Sequence, residues 1–504
     1  MADISEDAIR LMGEMTLTCS ARGDEKIAEA GTDRVALNGE TQKFIHVAME
    51  TVAQANQVRT LSQRGGTLLS QHVGALSSLI KRSTEVMEVG QAIRTATTNY
   101  IYARLLMESR DHDVHRLLSH FEPKIRAIIG DTLGVIGDNP NVLSTILEEC
   151  YEQASGQGGE LHIDGYFAPL YEAAFAWPYD PDFEAEQYYD HENRLQVDED
   201  YAVAEDMRQQ QRSESRLESE RRAKWAWIGF WVKLLNICLG GPTLFWPLAN
   251  DVLGDLPESP RYLFRTFDSA SSGKSDEDMV ASSASIYMPG TSRDDLLSLE
   301  PKEACKKLCA HLNKTCFGDA DHADNLISWS SSLLFVLQYA IWRCNKRRCS
   351  PAGVSICVVD TTKFPYGQFA RDMWLLKKYN NTTKENADLQ NLLHLRVDYD
   401  NGEYLSQGTL THKNRSCVVT LEKLIRSGLH DLHPEFALTN GREGWTNRVR
   451  DLRSMWAESR LTTQQEIKVA SQIATKCFHA LSTSEIAICL LTFKTRDHPN
   501  TSMK

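Results

Sequence analysis

The sequence predicts an α+β protein with a helical N-terminal region, and two observations carry that prediction. Up to about residue 150, apolar residues recur at spacings of three and four, which is typical of amphipathic helices. From about residue 257, short apolar runs alternate with helical patterns, which indicates strands and helices within one domain. A chain of 504 residues is too long for a single core, so we expect several domains.

The composition is that of a globular protein and not of a generally basic nucleic-acid binder. Hydrophobic residues make up 42% and charged residues 24%, and the net charge of -13 leaves room only for a local basic patch. None of the 12 cysteines forms a CxxC pair, which predicts reduced thiols, and the N-terminus has no signal-peptide pattern. We therefore expect a cytoplasmic protein.

The spacing of one group of cysteines is compatible either with metal binding or with packing in the core. Cys305, Cys309 and Cys316 follow one another closely, but no histidine pair joins them at zinc-finger spacing. The sequence therefore predicts that they pack from a helix, and it predicts no metal site.

Five segments are predicted along the chain. Dense Glu, Asp, Gln and Arg mark a solvated helical linker, which is followed by an apolar stretch. Lys233 and Gly240-Gly241-Pro242 interrupt that stretch before about 20 apolar residues accumulate. We expect it to dock on the next domain, with a peripheral membrane contact as the alternative. The segments are a helical accessory domain (1–180), a charged helical linker (181–224), an apolar docking segment (225–256), an α+β domain (257–440) and a C-terminal helical segment (441–504).

Within the α+β domain, short apolar runs predict the positions of several strands. The runs rich in β-branched and aromatic residues predict strands, and two of them continue into helical patterns. The predicted strands are Tyr262–Phe267, Val354–Asp360 and Glu403–Leu410, and the predicted strand-to-helix units are Ile327–Arg343 and Ser416–Arg426.

Three small motifs in this domain carry residue types that suit catalysis. Arg265 lies inside a predicted strand, which would present its guanidinium as a fixed fork of donors. Ser328 and Ser330 belong to a serine cluster that ends a strand and opens a helix, where hydroxyl and N–H groups can hold a ligand. Glu403 opens a strand and can take a proton or face a developing positive charge. We expect the three motifs to share one cleft.

The order of these motifs resembles the ADP-ribosyltransferase fold, in which a strand Arg, a Ser-x-Ser cluster and a Glu opening a strand follow one another. The resemblance covers roughly residues 261 to 438 and implies a mixed-sheet domain of that type, with NAD as cofactor. It implies Arg265, Ser328 and Glu403 as the corresponding residues. Members that modify arginine carry Glu or Gln two residues before the catalytic Glu, and here that position is Asn401.

The domain is also similar to the fungal arginine-containing cyclodipeptide synthases, which are described by a DDxxE motif. Asp400 and Glu403 match that motif, Tyr399 stands at its first Asp, and Asp398 lies one position earlier. These enzymes join an arginyl residue from arginyl-tRNA to a second aminoacyl residue and close a diketopiperazine, in secondary metabolism. The likeness rests on Tyr262–Arg265, Ser330–Ile341, Val358–Pro365 and Glu403–Gly408.

The second resemblance implies roles for the acidic and hydroxyl groups. An aminoacyl-tRNA is already an activated ester, so no cofactor is expected, and no complete ATP-binding loop occurs in the sequence. Asp400 or Asp398 would pair with the arginyl guanidinium, and Glu403 would act as base. Ser328 would donate to the oxyanion or accept the acyl group. In the sequence only His322 lies near Ser328, and no motif makes that pair a nucleophile and its base. The substrate-binding residues would be Arg265, Asp398, Ser330 and Asn401.

A tRNA partner requires phosphate contacts despite the acidic total charge. Residues 341–380 hold eight lysines and arginines against two aspartates, interleaved with aromatic residues that can stack on unpaired bases. Alternatively, the cations follow the end of a helix, where its dipole favours them. The predicted phosphate contacts are Arg343, Lys346, Arg347 and Arg348.

Three functions stay open at this stage. The first is a tRNA-dependent aminoacyltransferase that makes an arginine-containing cyclodipeptide from arginyl-tRNA and a second aminoacyl-tRNA. The second is an NAD-dependent ADP-ribosyltransferase in which Glu403 steadies the ribosyl cation. The third is a catalytically inactive interaction module on the same fold.

Overall fold

The protein is α+β, with a helical N-terminal part followed by a part that combines helices with two antiparallel sheets. The chain divides into two compact units, Met1–Leu234 and Leu235–Lys504. The computed structural model describes residues 24–63, 70–135, 141–156, 158–164, 166–167, 193–238, 240–246, 256–290, 292–314, 321–382, 386–437 and 444–496.

Long helices build the first unit, as the spacing of apolar residues predicts. Its core includes Phe121, Ile125 and Ile129, and the buried Trp227 packs on Phe121 and donates from Nε1 to the carbonyl oxygen of Leu161 at 3.0 Å. The helices are α1 (Asp24–Gln63), α2 (Ser70–Glu108), α3 (His112–His120), α4 (Glu122–Val135), α5 (Val142–Ser155) and α6 (Glu199–Ile237).

Helix α6 joins two segments that the sequence separates at position 224. It runs without interruption from the charged stretch into the apolar stretch, and the division between the two compact units falls at Leu234. Each of the predicted segments 1–180, 181–224 and 225–256 also includes some residues outside the described ranges. No helix in the described ranges is both long enough and apolar enough to cross a bilayer.

The second unit holds all the strands of the described chain. The strands are β1 (Tyr262–Asp268), β2 (Lys274–Ser275), β3 (Met279–Ala281), β4 (Leu326–Ser330), β5 (Val354–Asp360), β6 (Ala370–Arg371), β7 (Glu403–Gln407), β8 (Thr409–Thr411) and β9 (Ser416–Thr420). The helices are α7 (Ser283–Tyr287), α8 (Pro301–Leu312), α9 (Leu333–Arg347), α10 (Asp372–Thr382), α11 (Ala387–Tyr399), α12 (Leu421–Arg426), α13 (Leu429–Leu432), α14 (Trp445–Met455), α15 (Gln464–Cys477) and α16 (Thr483–Leu491).

The six-stranded sheet brings the three motif strands side by side. Its order is β6-β7-β4-β1-β5-β9, and every neighbouring pair is antiparallel. Strands β4 and β7 pair over five residues, with Ser330 opposite Glu403. Strands β1 and β4 instead share the single register pair Phe264–Ser330. The strands β1, β4 and β7 therefore stand next to one another, but β1 and β4 are joined over a short distance only.

Helices cover one face of this sheet, and the smaller sheet β2-β3-β8 covers the other. Alternate residues of β1 and β5 pack against α9, α12, α15 and α16, while Leu326 and Leu405 pack against α8, α10 and α11. On the opposite face, Trp329 lies in a core that also contains Val280 and Leu410 of the smaller sheet. This division follows from the period-two alternation of strand side chains.

The predicted strands are confirmed with one change, and several elements were not predicted. The predicted strand Glu403–Leu410 is two strands in different sheets, because Gly408 between them has φ of +65° and ends the first. The sequence does not predict the short strands β2, β3 and β6 or the helices α10 and α11, and of α8 it predicts only that Cys305 and Cys309 pack from a helix. Cys305 and Cys309 are buried on α8 within a hydrophobic core, as the packing interpretation expects, whereas Cys316 lies outside the described residues.

A buried ion pair ties the end of β1 to α9. The side chains of Arg343 and Asp268 are 4% and 3% exposed, and the guanidinium donates to both carboxylate oxygens, at 2.9 Å from Nε and 2.5 Å from Nη2. Arg343 also donates to the Tyr339 hydroxyl at 2.9 Å. The more exposed Arg347 lies 3.4 Å from the same carboxylate. Arg343 is thus already neutralised within the fold.

We predict that Arg343→Met lowers the free energy of unfolding by about 3 kcal/mol or more, because it leaves the buried Asp268 carboxylate without its main partner. Arg347→Met should cost less than about 1 kcal/mol, since solvent screens that partly exposed contact. Urea denaturation of both variants measures the difference. Equal losses would contradict a structural role specific to Arg343.

Candidate active site

A cavity of about 600 Å³ lies in the second unit, beside strands β1, β4 and β7. Its walls come from these strands and from α8, α9, α11 and α14. Six of the predicted site residues line it, namely Arg265, Ser328, Ser330, Arg343, Asn401 and Glu403. The structure therefore brings together the three motifs that the sequence spreads from 265 to 403.

Arg265 brings a positive charge into this cavity. Its Nη1 donates to the carbonyl oxygen of Ser328 at 2.8 Å, across the short junction between β1 and β4. Its Nε is sealed from solvent and has no hydrogen-bond partner, and no carboxylate among the described residues lies within salt-bridge distance. Burial lowers the pKa of Arg265 from its ordinary value. A partly buried cation without a counter-ion is suited to bind an anionic group.

Ser328 is the end of a hydrogen-bonded chain of three side chains. The Oγ of Ser328 lies 2.9 Å from Nε2 of His311, and Nδ1 of the same ring lies 2.9 Å from each carboxylate oxygen of Asp324. The side chains of His311 and Asp324 are only 8% and 9% exposed. Ser328 and His311 line the cavity.

The hydrogen bonds of His311 indicate that a proton can move from Ser328 to Nε2 of the ring. An ionised carboxylate can only accept a hydrogen bond, so in the neutral form of the His311 ring the proton lies on Nδ1, and Nε2 is the acceptor for the hydroxyl of Ser328. Burial alone would raise the pKa of Asp324, but His311, Lys314 and the backbone N–H of Leu326 outweigh it and lower the pKa to about 2. The ring is thus fixed in the tautomer that a general base requires.

Sequence reasoning alone did not find this hydrogen-bonded arrangement of Ser328, His311 and Asp324. His311 stands in the last turn of α8, the helix that carries Cys305 and Cys309, and Asp324 lies in the loop before β4. The spacing of buried Ala304, Cys305 and Leu308 on α8 is the signal that identifies the helix. His322, the histidine nearest to Ser328 in sequence, instead packs on Tyr287 with 4.1 Å between ring centroids.

Glu403 faces the cavity as part of an ion-pair chain. Nη2 of Arg396 donates to Glu403 at 2.5 Å, and Nε of Arg396 donates to Asp372 at 2.6 Å. Burial, followed by the nearby charge of Glu403, raises the pKa of Asp372 to about 6, against the opposing effect of Arg396. Arg396 holds the carboxylate of Glu403 in a fixed position while leaving part of it open to the cavity.

A tight turn sets Glu403 at the start of β7. Gly402 has φ of +61°, and a Cβ at this position would lie 1.9 Å from Oγ of Ser331. The carbonyl of Gly402 accepts from the N–H of Ser331 at 2.8 Å, and Oγ of Ser330 donates to the carbonyl of Asn401 at 2.6 Å. The serine cluster therefore clamps the turn that carries Glu403.

The two aspartates before this turn do not line the cavity. Asp398 is exposed in the last turn of α11. Asp400 is also exposed, accepts from the N–H of Gly402 at 2.9 Å and pairs with Arg371 at 2.8 Å. Of the three carboxylates in this stretch, Glu403 is the one that reaches the cavity, because the turn directs the other two away.

The four predicted phosphate contacts differ in their surroundings. Arg343 is buried and paired with Asp268, so its charge is not available to a phosphate. Arg347 lies close to the same carboxylate. Lys346 and Arg348 are exposed at the end of α9, where the helix dipole favours cations.

Residues 258–421 match the model of a family described as a domain of unknown function, DUF7587. The matched range is less than half of the chain and contains Arg265, His311, Asp324, Ser328 and Glu403. No curated protein and no solved structure matches the chain.

The lowered pKa of Asp324 makes a testable contribution to stability. A carboxyl group whose pKa is lower in the folded than in the unfolded protein stabilises the fold above the unfolded value of about 4, and this stabilisation disappears as the pH falls toward 2. We expect Asp324→Asn to lower the free energy of unfolding by about 2 kcal/mol at pH 7. Denaturant titrations of both proteins should show this difference shrinking between pH 4 and pH 2. A difference independent of pH would contradict the assignment.

Proposed function

We propose that the protein is a tRNA-dependent aminoacyltransferase that forms an arginine-containing cyclodipeptide in this cavity. The observation that carries the proposal is the meeting of Arg265, Ser328 and Glu403 in one cavity of about 600 Å³. A space of this size accommodates an aminoacyl group together with an attacking amine. In the cell, charged tRNA is available in the cytoplasm, which is where we expect the reaction.

The reaction needs groups for an oxyanion, a proton and a cationic substrate. When an amine attacks the carbonyl carbon of an aminoacyl ester, negative charge develops on the carbonyl oxygen. Arg265 supplies a positive charge beside Ser328 for this oxygen. Glu403 offers a carboxylate on the same cavity wall, which suits an α-amino group losing a proton or the guanidinium of an arginyl group.

The positions of the acidic groups favour Glu403 over its neighbours for this role. Asp398 and Asp400 are exposed and do not line the cavity, so they are poorly placed to bind a substrate guanidinium inside it. Of the two residues that match the DDxxE motif, Glu403 would contact the substrate. Asp400 would hold the turn, because its carboxylate accepts from the N–H of Gly402.

Phosphate contacts for the tRNA would come from the exposed cations at the end of α9. Lys346 and Arg348 are exposed there. The same helix contributes Phe335 and Tyr339 to the cavity wall. A nucleic acid bound at the helix end would therefore lie on the element that leads into the cavity, and each phosphate contact would make binding weaker at higher salt.

A charged-tRNA assay tests the proposal. The protein is incubated with arginyl-tRNA and a mixture of other aminoacyl-tRNAs, and diketopiperazines are detected by mass spectrometry. We expect an arginine-containing product, reduced at least about 100-fold in Glu403→Gln because the carboxylate that handles the proton or the cation is lost. Asp400→Asn should reduce it less.

The matched control is Glu258→Gln, which makes the same change at an exposed position of the same unit. Its product yield should equal that of the unchanged protein. If neither diketopiperazine formation nor NAD consumption occurs in the folded protein, both enzymatic proposals are wrong and the interaction module is left.

A second candidate function is NAD-dependent ADP-ribosyl transfer, and the sheet order favours it. Arg265, Ser328 and Glu403 lie on the adjacent strands β1, β4 and β7, in the chain order that the resemblance to ADP-ribosyltransferases rests on. An unneutralised Arg265 suits the pyrophosphate of NAD. In this case we expect NAD consumption without tRNA, lost in Glu403→Gln and kept in Glu258→Gln.

A further inference from the structure

We propose that Ser328, His311 and Asp324 form a nucleophile–base–acid triad that accepts the acyl group of an activated carboxylic ester as a covalent ester on Ser328. This inference depends on the proposed function only for the identity of the acyl group. The chemistry itself requires an activated ester and not a tRNA.

The distances agree with those of an activated serine. A serine hydroxyl becomes a nucleophile when an adjacent base lies within hydrogen-bond reach and a third group orients that base. Here Oγ of Ser328 is 2.9 Å from Nε2 of His311, and Nδ1 of the ring is 2.9 Å from both oxygens of Asp324. The roles are recognised from this geometry, because such triads occur on unrelated folds and in different chain orders.

The support around the triad keeps it rigid. Ser328 lies inside β4, and His311 lies within α8, so both are held by regular structure. Asp324 accepts from the backbone N–H of Leu326 at 3.1 Å and from Nζ of Lys314 at 3.1 Å. These contacts hold the carboxylate ionised, and an ionised carboxylate stabilises the imidazolium that forms during attack.

The position of His311 in its helix also favours transfer of the Ser328 proton to the ring. The ring stands in the last turn of α8, at the negative end of the helix dipole. The negative end of a helix dipole stabilises positive charge that develops beside it during a reaction. Helix position and carboxylate therefore both favour transfer of the Ser328 proton to Nε2.

Arg265 is the group that would stabilise the negative charge on the carbonyl oxygen of the substrate ester. Its guanidinium is joined to the carbonyl of Ser328, lines the cavity and has no carboxylate partner among the described residues. Most acyl-transfer sites use uncharged N–H donors for the oxyanion. Here the guanidinium of Arg265, which already donates to the carbonyl of Ser328, is a charged donor beside the nucleophile.

The proposed step balances without a further reactant. Oγ of Ser328 attacks the ester carbonyl carbon while its proton passes to Nε2 of His311. The bond from that carbon to the alkoxide leaving group breaks, the alkoxide takes the proton from Nε2, and an acyl-Ser328 ester remains. An amine or water then attacks this ester, gives its proton to Nε2, and Oγ of Ser328 leaves and regains the proton.

A fluorophosphonate probe tests the nucleophile without requiring the natural substrate. Such a probe forms a stable bond to an activated serine and releases fluoride. We expect intact-mass and peptide mass spectrometry to show one adduct on Ser328, absent in Ser328→Ala. His311→Gln should slow labelling at least about 100-fold and remove the rise in labelling rate with pH that ionisation of a histidine produces.

Matched substitutions at exposed positions of the same unit serve as controls. Ser484→Ala, His394→Gln and Asp388→Asn repeat the three chemical changes outside the cavity, and each should label at the rate of the unchanged protein. If Ser328→Ala does not fold, Ser328→Cys keeps the test intact. Its thiol should be alkylated by iodoacetamide faster than in the double variant that also carries His311→Gln.

The possible outcomes separate this inference from the proposed function. A folded protein that takes no label, or that keeps the label in Ser328→Ala, overturns the triad. Labelling of Ser328 without diketopiperazine formation supports the triad and refutes only the aminoacyl-tRNA substrate. Diketopiperazine formation at an unchanged rate in Ser328→Ala refutes the triad and leaves the proposed function standing.

Discussion

The pairing of β4 with β7 is the constraint on which the rest of the site depends. Their register sets Ser330 opposite Glu403 and, two residues away, Ser328 opposite Leu405, so all four side chains project from one face of the sheet. A slip by one residue would turn the carboxylate and the hydroxyls to opposite faces. Helices α8, α9 and α11 can only line a common cavity with these groups because this register is held.

The parts of the site that the sequence predicts are those that lie within single strands. Arg265, Ser328 and Glu403 each stand in a short apolar run whose extended structure is recognisable locally. His311 and Asp324 escape such reasoning because their relation to Ser328 exists only after α8 has packed against the sheet. Similarly, Asp398, Asp400 and Glu403 look equivalent in the sequence, and only the left-handed conformation of Gly402 decides which carboxylate faces inward. Residues that lie close together in sequence can therefore differ in whether they reach the cavity.

A count of charged residues in the sequence does not show which of the charges can bind a ligand. The lysines and arginines after position 341 look equivalent in the sequence. In the structure, Arg343 forms a buried ion pair with Asp268, whereas Lys346 and Arg348 lie at the surface. Conversely, Arg265 stands alone in a hydrophobic run and keeps its charge unmatched inside the protein. Burial gives that single cation a stronger field than several solvated lysines, because water does not screen it as effectively.

Gly408, at the crossing from one sheet to the other, has a consequence for residues it does not touch. Its N–H donates to the backbone carbonyl of Asn325 at 3.0 Å and to the side chain of the same residue at 3.2 Å. A Cβ at this position would lie 2.6 Å from the hydroxyl oxygen of Thr243. Asn325 directly follows Asp324, so the backbone crossing at Gly408 helps Lys314 and the N–H of Leu326 to position the carboxylate that orients His311. A side chain at position 408 would therefore disturb the segment that carries Asp324, although Gly408 itself does not line the cavity.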